Sequence, residues 1–214
     1  MRDDIFRLLN RHVNVSRETF ERLERYHDLL LKWQARVNLI GPDTVSESWT
    51  RHFLDSLQLL PFLPNPEARL LDIGSGAGFP GMVLAVCGMK NITLAESDQK
   101  KVIFLKEVAR VTDTEVAIHA ARVEALDAPS FDVITSRACS ALTTLLDYSS
   151  KFVSHETFCL FPKGRNYTKE VDDAHINWNF ELETAPSVTD TQGVILKLSQ
   201  VNRRGHEPGK AKKH

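Results

Sequence analysis

A chain of 214 residues with 42% hydrophobic and 26% charged residues has room for one sizeable α/β domain and a helical extension, and this composition excludes a disordered polypeptide. Lys and Arg number 27 against 28 Asp and Glu, so a net charge of −1 excludes a global basic footprint and leaves any nucleic-acid contact to local patches. No apolar run approaches the roughly 20 residues that span a bilayer, and Met1-Arg-Asp-Asp-Ile-Phe lacks the basic start and apolar stretch of a signal peptide, so a cytoplasmic protein with no membrane partner is expected.

The first sixty-odd residues read as helical. Phe20, Leu23, Tyr26, Leu30, Trp33 and Val37 recur every three or four positions, and Ser16 is placed to cap that helix. A second helix is expected from about Thr44 to Leu60, with Trp49, Phe53, Leu57 and Leu60 on one side. Gly41-Pro42-Asp43 separates the two, and Pro61, Pro64 and Pro66 punctuate the next boundary. Residues 1–66 are therefore expected to form a helical extension packed on the sheet of the remaining chain.

From Arg69 short apolar runs alternate with helical stretches. Strands are expected at Arg69–Ile73, Asn91–Ala95, Glu115–His119, Phe131–Thr135 and Thr157–Phe161, and helices at Pro80–Val86, Gln99–Val111, Ala141–Val153 and Tyr167–Ala174. Such alternation implies a mostly parallel, doubly wound sheet. Phe180–Ala185 and Val194–Leu198 leave no room for a helix between them and read as an antiparallel hairpin at one edge. The fold class is α/β, a Rossmann-like sheet of seven strands over residues 67–202. A tail, 203–214, carries Arg203, Arg204, Lys210, Lys212 and Lys213 against Glu207, either a nucleic-acid contact or a solvated end. Cys87, Cys139 and Cys159 share no metal-like spacing and read as reduced core thiols; no metal site is expected.

The most informative stretch runs from Arg69 to Gly81. A strand ends at Ile73, glycines occupy 74, 76 and 78, and Pro80 stands where a helix begins. Glycines permit the tight strand-to-helix reversal and the close approach of a ligand to the backbone. Gly76-x-Gly78-x-x-Gly81 formally matches the dinucleotide fingerprint, a weak signal alone. Asp72 argues against a diphosphate, which its carboxylate would repel, and in favour of S-adenosylmethionine (SAM), which carries an ammonium and a sulfonium. Asp-x-Gly-x-Gly-x-Gly resembles the first motif of class I methyltransferases. Glu96, at the tip of the second strand, is placed to accept from both ribose hydroxyls, a role that suits SAM and NAD alike. The turn Ala121-Arg122-Val123-Glu124 lies where adenine sits in this fold, or is a plain surface loop.

Across Tyr26 to Leu198 the chain resembles the RsmG family (glucose-inhibited division protein B), the 16S rRNA (guanine-N7) methyltransferases. The resemblance is carried by Lys32-Trp33, Val37-Asn38-Leu39-Ile40, Arg51-His52-x-x-Asp55-Ser56-Leu57, Leu71 to Gly81, Arg122-Val123-Glu124, Ser136-Arg137-Ala138 and Lys163-Gly164. Leu94-Ala95-Glu96 departs from the aspartate more common there but keeps the carboxylate. The resemblance implies methyl transfer from SAM to N7 of a guanosine in the 530 loop of 16S rRNA, either naked or within the 30S subunit, by a monomer. It implies SAM contacts at Gly74, Phe79, Val123, Glu124 and Arg137, which join Asp72, Gly76, Gly78 and Glu96 as the expected cofactor site.

The residues after the fourth strand, Thr135-Ser136-Arg137-Ala138, offer no Asn/Asp-Pro-Pro-aromatic turn of the kind that accepts amine hydrogens. Guanine N7 has an in-plane lone pair and no hydrogen, so alignment suffices and no general base is expected. Cytosine C5 chemistry would need a nucleophile such as Cys139, which lacks the Pro-Cys context. Arg137 is the expected orienting residue, pairing with the SAM carboxylate or donating to guanine O6. Lys163, Arg165 and Lys169 are candidates for phosphate contacts or a solvated loop. His52 and Asp55, one helical turn apart, are expected to pair with each other, to touch RNA or SAM, or simply to fasten the N-terminal helices. Two other functions remain open: a methyltransferase of small molecules, and a SAM-binding module without catalysis.

Overall fold

A computed structural model describes residues 2–137 and 140–205. Cys139, Ala138 and the lysines of the tail lie outside the described residues. The sheet has seven strands in the order β3-β2-β1-β4-β5-β7-β6. They are β1 (Arg69–Ile73), β2 (Asn91–Ala95), β3 (Ala117–His119), β4 (Val133–Thr135), β5 (Phe158–Lys163), β6 (Trp178–Pro186) and β7 (Val194–Arg203). β1 to β5 run parallel, and β7 pairs antiparallel with both β5 and β6. The expected hairpin is present, with its second strand inserted next to β5 and its first at the edge.

Side chains alternate across these strands and divide the core in two. Leu70, Ile92, Leu94, Val133, Leu160 and Ile195 belong to one cluster, shared with α2 (Arg17–Gln34), α4 (Gly81–Val86) and α5 (Gln99–Thr112). Leu71, Ile73, Ile134, Cys159, Phe161 and Leu196 belong to the other, under α6 (Leu142–Ser149) and α7 (Tyr167–Ala174). Cys159 is buried in the core and Cys87 packs partly buried against it, and burial holds both thiols up to about 12. Among the described residues no helix is long and apolar enough to cross a membrane.

In the N-terminal extension, Ser16 caps α2 through an Oγ that accepts from Thr19 N at 3.0 Å. α1 (Arg2–Asn10) precedes it, and Leu9 is buried against the same core. The expected second helix, Thr44 to Leu60, is instead broken. Pro42–Thr44 is a 3-10 turn, Trp49–Leu54 is wound as a π-helix, α3 is Asp55–Leu57, and Leu60–Phe62 is again 3-10. The cause is tertiary: the Asp55 amide reaches back to the Thr50 carbonyl, and the Arg51 carbonyl accepts from Arg137 at 2.7 Å, a donor from beyond β4.

The expected basic tail also starts later. Arg203 is the last residue of β7, pairs with Asp147 and lies over the Trp178 ring, while Arg204 donates to Asn179 Oδ1 at 3.1 Å. β7 runs five residues past the expected Leu198, which draws both arginines into the sheet edge.

Candidate functional site

Chain order reverses between β1 and β4, the neighbours at the centre of the sheet. Ligands of open α/β sheets lie in the crevice at such a switch point, outside the carboxyl ends of the strands. Here that crevice is bordered by the glycine turn after β1 and by Ser136-Arg137 after β4.

The glycines of the turn face two ways. Gly74, Gly76 and Gly78 all have positive φ, at 67°, 58° and 94°. Gly74 is exposed and Gly76 half-buried, and a Cβ on Gly76 would meet nothing nearer than the Gly74 carbonyl at 3.8 Å. These two present backbone to the crevice. Gly78 and Gly81 point inward, where a Cβ would fall 2.4 Å from the Tyr26 hydroxyl and 2.5 Å from Leu94 respectively. The sequence placed Gly74, Gly76 and Gly78 on the ligand; the structure divides the motif into an open face, Gly74 and Gly76, and a packing face, Gly78 and Gly81.

Asp72 stands behind the turn as well. It is fully buried, its Oδ2 accepts from Gly81 N at 3.0 Å, and its Oδ1 has no partner. Burial pushes this carboxyl up to about 7 in spite of the Gly81 amide. The carboxylate therefore does not face the crevice, and the argument that it would repel a diphosphate there is corrected: Asp72 shapes the turn from within. Phe79 is likewise core, stacked on Tyr26 at 5.6 Å and tilted against His52 at 5.1 Å, so only its backbone remains for a ligand. Sequence reasoning missed the role of Tyr26, whose hydroxyl donates to the Ala77 carbonyl of the turn. Its helical spacing gave only a core position.

Glu96 stands where the sequence put it, at the end of β2, and is 8% exposed. Its oxygens accept from Gly76 N at 2.8 Å and Asp98 N at 2.7 Å. A carboxylate has about four lone-pair directions, so capacity for hydroxyls remains. Gly74, Glu96, Val123, Glu124 and Tyr148 line a shallow groove of about 100 Å³. A buried carboxylate near apolar Val123 and exposed glycine backbone suits a nucleoside, and the nucleoside end of SAM fits this set.

Arg137 and His52 are brought together. Arg137 donates to the Arg51 carbonyl at 2.7 Å, to His52 Nδ1 at 2.5 Å and to Asp55 Oδ2 at 3.4 Å, with its guanidinium 5.1 Å from the Phe79 ring centre. Arginine has only donors, so Nδ1 must accept, and Nε2–H then donates to Thr44 Oγ1 at 2.8 Å. Burial, then the charges of Arg137 and Arg51, push His52 down to about 3, so it is neutral at physiological pH. His52 and Asp55 do not pair with each other; both pair with Arg137, because the π-helical winding turns them toward β4. Arg137 thus holds the extension on the sheet through three of its five N–H donors, which leaves donors for either of its two expected ligands.

Lys163 is also committed. Its ammonium sits 2.7 Å from Glu170 Oε2 and 2.8 Å from the Ser140 carbonyl, with its side chain 7% exposed. Glu170 Oε2 in turn accepts from Leu142 N at 2.9 Å, at the start of α6. The expectation of a rim lysine free for phosphate is corrected: the ammonium is held inside, between β5 and α7. Arg165 and Lys169 are exposed on the same edge. Lys163→Ala is expected to lower stability by about 1–3 kcal/mol, with little dependence on salt, because a buried pair is screened weakly. Thermal unfolding in low and high salt checks this. A variant that melts like the parent but binds RNA less well would restore the phosphate role.

The chain matches the sequence profile of a family described as rRNA small subunit methyltransferase G over residues 19–198. It is 48% identical over 194 residues to the ribosomal RNA small subunit methyltransferase G of Paramagnetospirillum magneticum, covering 91% of this chain and 95% of that one. Identity to the protein of the same name from Rhodospirillum centenum is 45% over 195 residues, 91% of this chain and 90% of that one. Among solved structures, the fold is similar to the magnesium protoporphyrin IX methyltransferase of Synechocystis with bound SAM (TM-score 0.59, 12% identity, 87% of this chain and 98% of that one). It is similar also to the ribosomal protein L11 methylase of Lactobacillus delbrueckii subsp. bulgaricus (TM-score 0.58, 12% identity, 70% and 78%).

Proposed function

Since the chain belongs to the rRNA small subunit methyltransferase G family, with SAM as its methyl donor, we propose that it methylates N7 of a guanosine in the 530 loop of 16S rRNA. Small-subunit rRNA is the substrate class this membership supports, and it does not favour the small-molecule or non-catalytic readings. Action within the 30S subunit, in the cytoplasm and as a monomer belongs to the same proposal. The observation that carries the reading is the crevice itself: exposed glycine backbone and a nucleoside-like groove on one side of β1, a polar cavity beyond β4 on the other.

In this reading Gly74 and Gly76 meet SAM through backbone, Glu96 takes the ribose, and Val123 and Glu124 border the adenine. Asp72, Gly78, Phe79 and Arg137 act from behind, by fixing the turn and the extension. The extension, 1–66, and the sheet domain, 67–202, work as one unit through these contacts. Bound SAM supplies an electrophilic methyl on a sulfonium. The protein's own work is to align N7 with it and keep water out, since N7 has no proton to lose.

The rate of a single turnover at saturating SAM and RNA is accordingly expected to be nearly flat between about pH 6.5 and 8.5, where a histidine base would titrate. His52, near 3 and with both nitrogens engaged, stays neutral throughout. Asp72 titrates inside that window but touches the turn and not the crevice, so its effect is expected in KM for SAM and to vanish in Asp72→Asn. A rate climbing tenfold per pH unit on the acid side, lost in His52→Gln, would mean a proton leaves in the slow step and would sink the N7 assignment. The function itself is tested with tritiated SAM and 16S rRNA lacking the modification, free or in 30S subunits. Borohydride–aniline scission, which cuts at N7-methylguanosine, then locates the product.

A further inference from the structure

The cavity beyond β4, of about 350 Å³, lies between the π-helical segment of the extension, the end of β5 and the β6–β7 turn at residues 187–193. That volume falls within the roughly 300–1,000 Å³ of small-ligand sites. Most polar groups on its wall are already engaged. His52 uses both ring nitrogens, Arg137 serves three acceptors, and Lys163 holds Glu170. Asp55 accepts from Gln58 at 2.7 Å, from Thr189 at 2.5 Å and from Arg137. Arg137 and Lys163 keep N–H donors beyond these bonds, and two further groups among the described residues keep capacity. The Arg51 guanidinium is exposed, and Asp190 uses only Oδ1, which accepts from Gln192 N at 2.9 Å.

The turn that carries Asp190 is fixed in place. Val188 N donates to Gln58 Oε1 at 2.9 Å, Thr189 to Asp55, Ser187 N to the Gly193 carbonyl at 3.0 Å, and Gly193 N to the Asp190 carbonyl at 3.0 Å. A Cβ on Gly193 would meet Asp190, Ser187 and the Lys163 carbonyl at 3.1 to 3.3 Å, so the turn closes tightly on β5. The cavity therefore offers, on a rigid wall, an Asp190 carboxylate with one oxygen unengaged, and the exposed Arg51 guanidinium also lines it.

A base entering such a cavity must satisfy an acceptor-only carboxylate. Guanine presents two adjacent donors, N1–H and N2–H2, on its Watson–Crick edge, and a carboxylate takes such a pair with two parallel bonds. Adenine presents a bare N1 lone pair there, which a carboxylate repels. Bases splayed out of RNA loops are commonly read on that edge. On guanine it lies opposite N7, so reading it leaves N7 open toward the crevice. Resting on the methyl-transfer reading above, we propose that this cavity takes the acceptor guanine and that Asp190 determines its identity by accepting from N1–H and N2–H2.

The test uses 16S rRNA ligated with guanosine or inosine at the acceptor nucleotide, free and in reconstituted 30S subunits, and the full chain with tritiated SAM. Inosine lacks only the N2 amine. The parent is expected to lose about tenfold or more in kcat/KM on inosine, the scale set by an unpaired buried polar group. Asp190→Asn is expected to lose as much on guanosine, to treat the two RNAs alike, and to bind SAM with unchanged Kd. Asp190→Glu, which keeps the carboxylate, should retain the preference and decides the matter if the asparagine variant does not fold. Equal rates of the parent on both RNAs, or full discrimination by Asp190→Asn, would overturn the role of Asp190. No transfer by the parent to the guanosine RNA in either form would overturn the methyl-transfer reading instead.

Discussion

Replacing Gly78 by alanine is expected to lower stability by about 2–5 kcal/mol, roughly 5–20 °C in Tm for a chain of this size. Two costs add. At φ 94° an L side chain is strained, a matter of about 1–2 kcal/mol. The new methyl also falls 2.4 Å from the Tyr26 hydroxyl, 2.7 Å from Met82 Cβ and 3.0 Å from Leu105 Cδ2. Tyr26 has no room to yield, since its hydroxyl holds the Ala77 carbonyl and its ring packs on Phe79 and on Phe53 at 5.1 Å. Gly76→Ala is the matched control. Its methyl meets only the Gly74 carbonyl at an ordinary 3.8 Å, so only strain of about 1 kcal/mol is expected in stability, while SAM affinity is expected to fall because that face borders the crevice. Calorimetric melting and SAM titration separate the two. Equal melting temperatures would show that packing against the extension is not what demands glycine at 78.

Arg137→Ala is expected to lower stability by about 2–4 kcal/mol, roughly 5–15 °C in Tm. The loss leaves His52 Nδ1, the Arg51 carbonyl and Asp55 Oδ2 without their shared donor, in a region where Arg137 itself is only 20% exposed. Activity is expected to fall with it, because the π-helical segment forms one wall of the cavity proposed for the acceptor guanine. Arg137→Lys should rescue little, since one ammonium on a flexible stem does not reproduce a planar fork across three acceptors. If Arg137 were instead a direct SAM ligand, the alanine variant would melt like the parent and lose SAM affinity. Unfolding and titration on the same preparation decide between these outcomes.

Asp72 and Lys163 show where sequence reading stopped. Both were placed on the ligand side by motif position, and both turn inward. The spacing that marks the glycine turn does not record which way each member faces. Gly81 tolerates no Cβ because Asp72 and Leu94 fill that space, so an acid and a glycine nine residues apart are one packing unit. Lys163 looks like a loop cation beside Gly164, yet Glu170 is one helix turn into α7 and draws it in.

The sequence by itself determined the strands at Arg69–Ile73 and Asn91–Ala95, the helix at Tyr167–Ala174, the hairpin at the edge, the capping of α2 by Ser16 and the family. Those features are written in hydrophobic period, capping chemistry and turn residues, which act within a few positions of the chain. Only the tertiary structure decided the π-helical winding at Trp49–Leu54, the neutrality of His52, the commitment of Arg137 and the placing of Asp190 on a cavity wall. Each depends on a partner far away in sequence. Arg137 meets Arg51 across 86 positions, Thr189 meets Asp55 across 134, and Tyr26 meets Ala77 across 51. Such partners decide whether a side chain is spent on the fold or left for a ligand, because a buried donor or acceptor must be satisfied wherever the chain brings it.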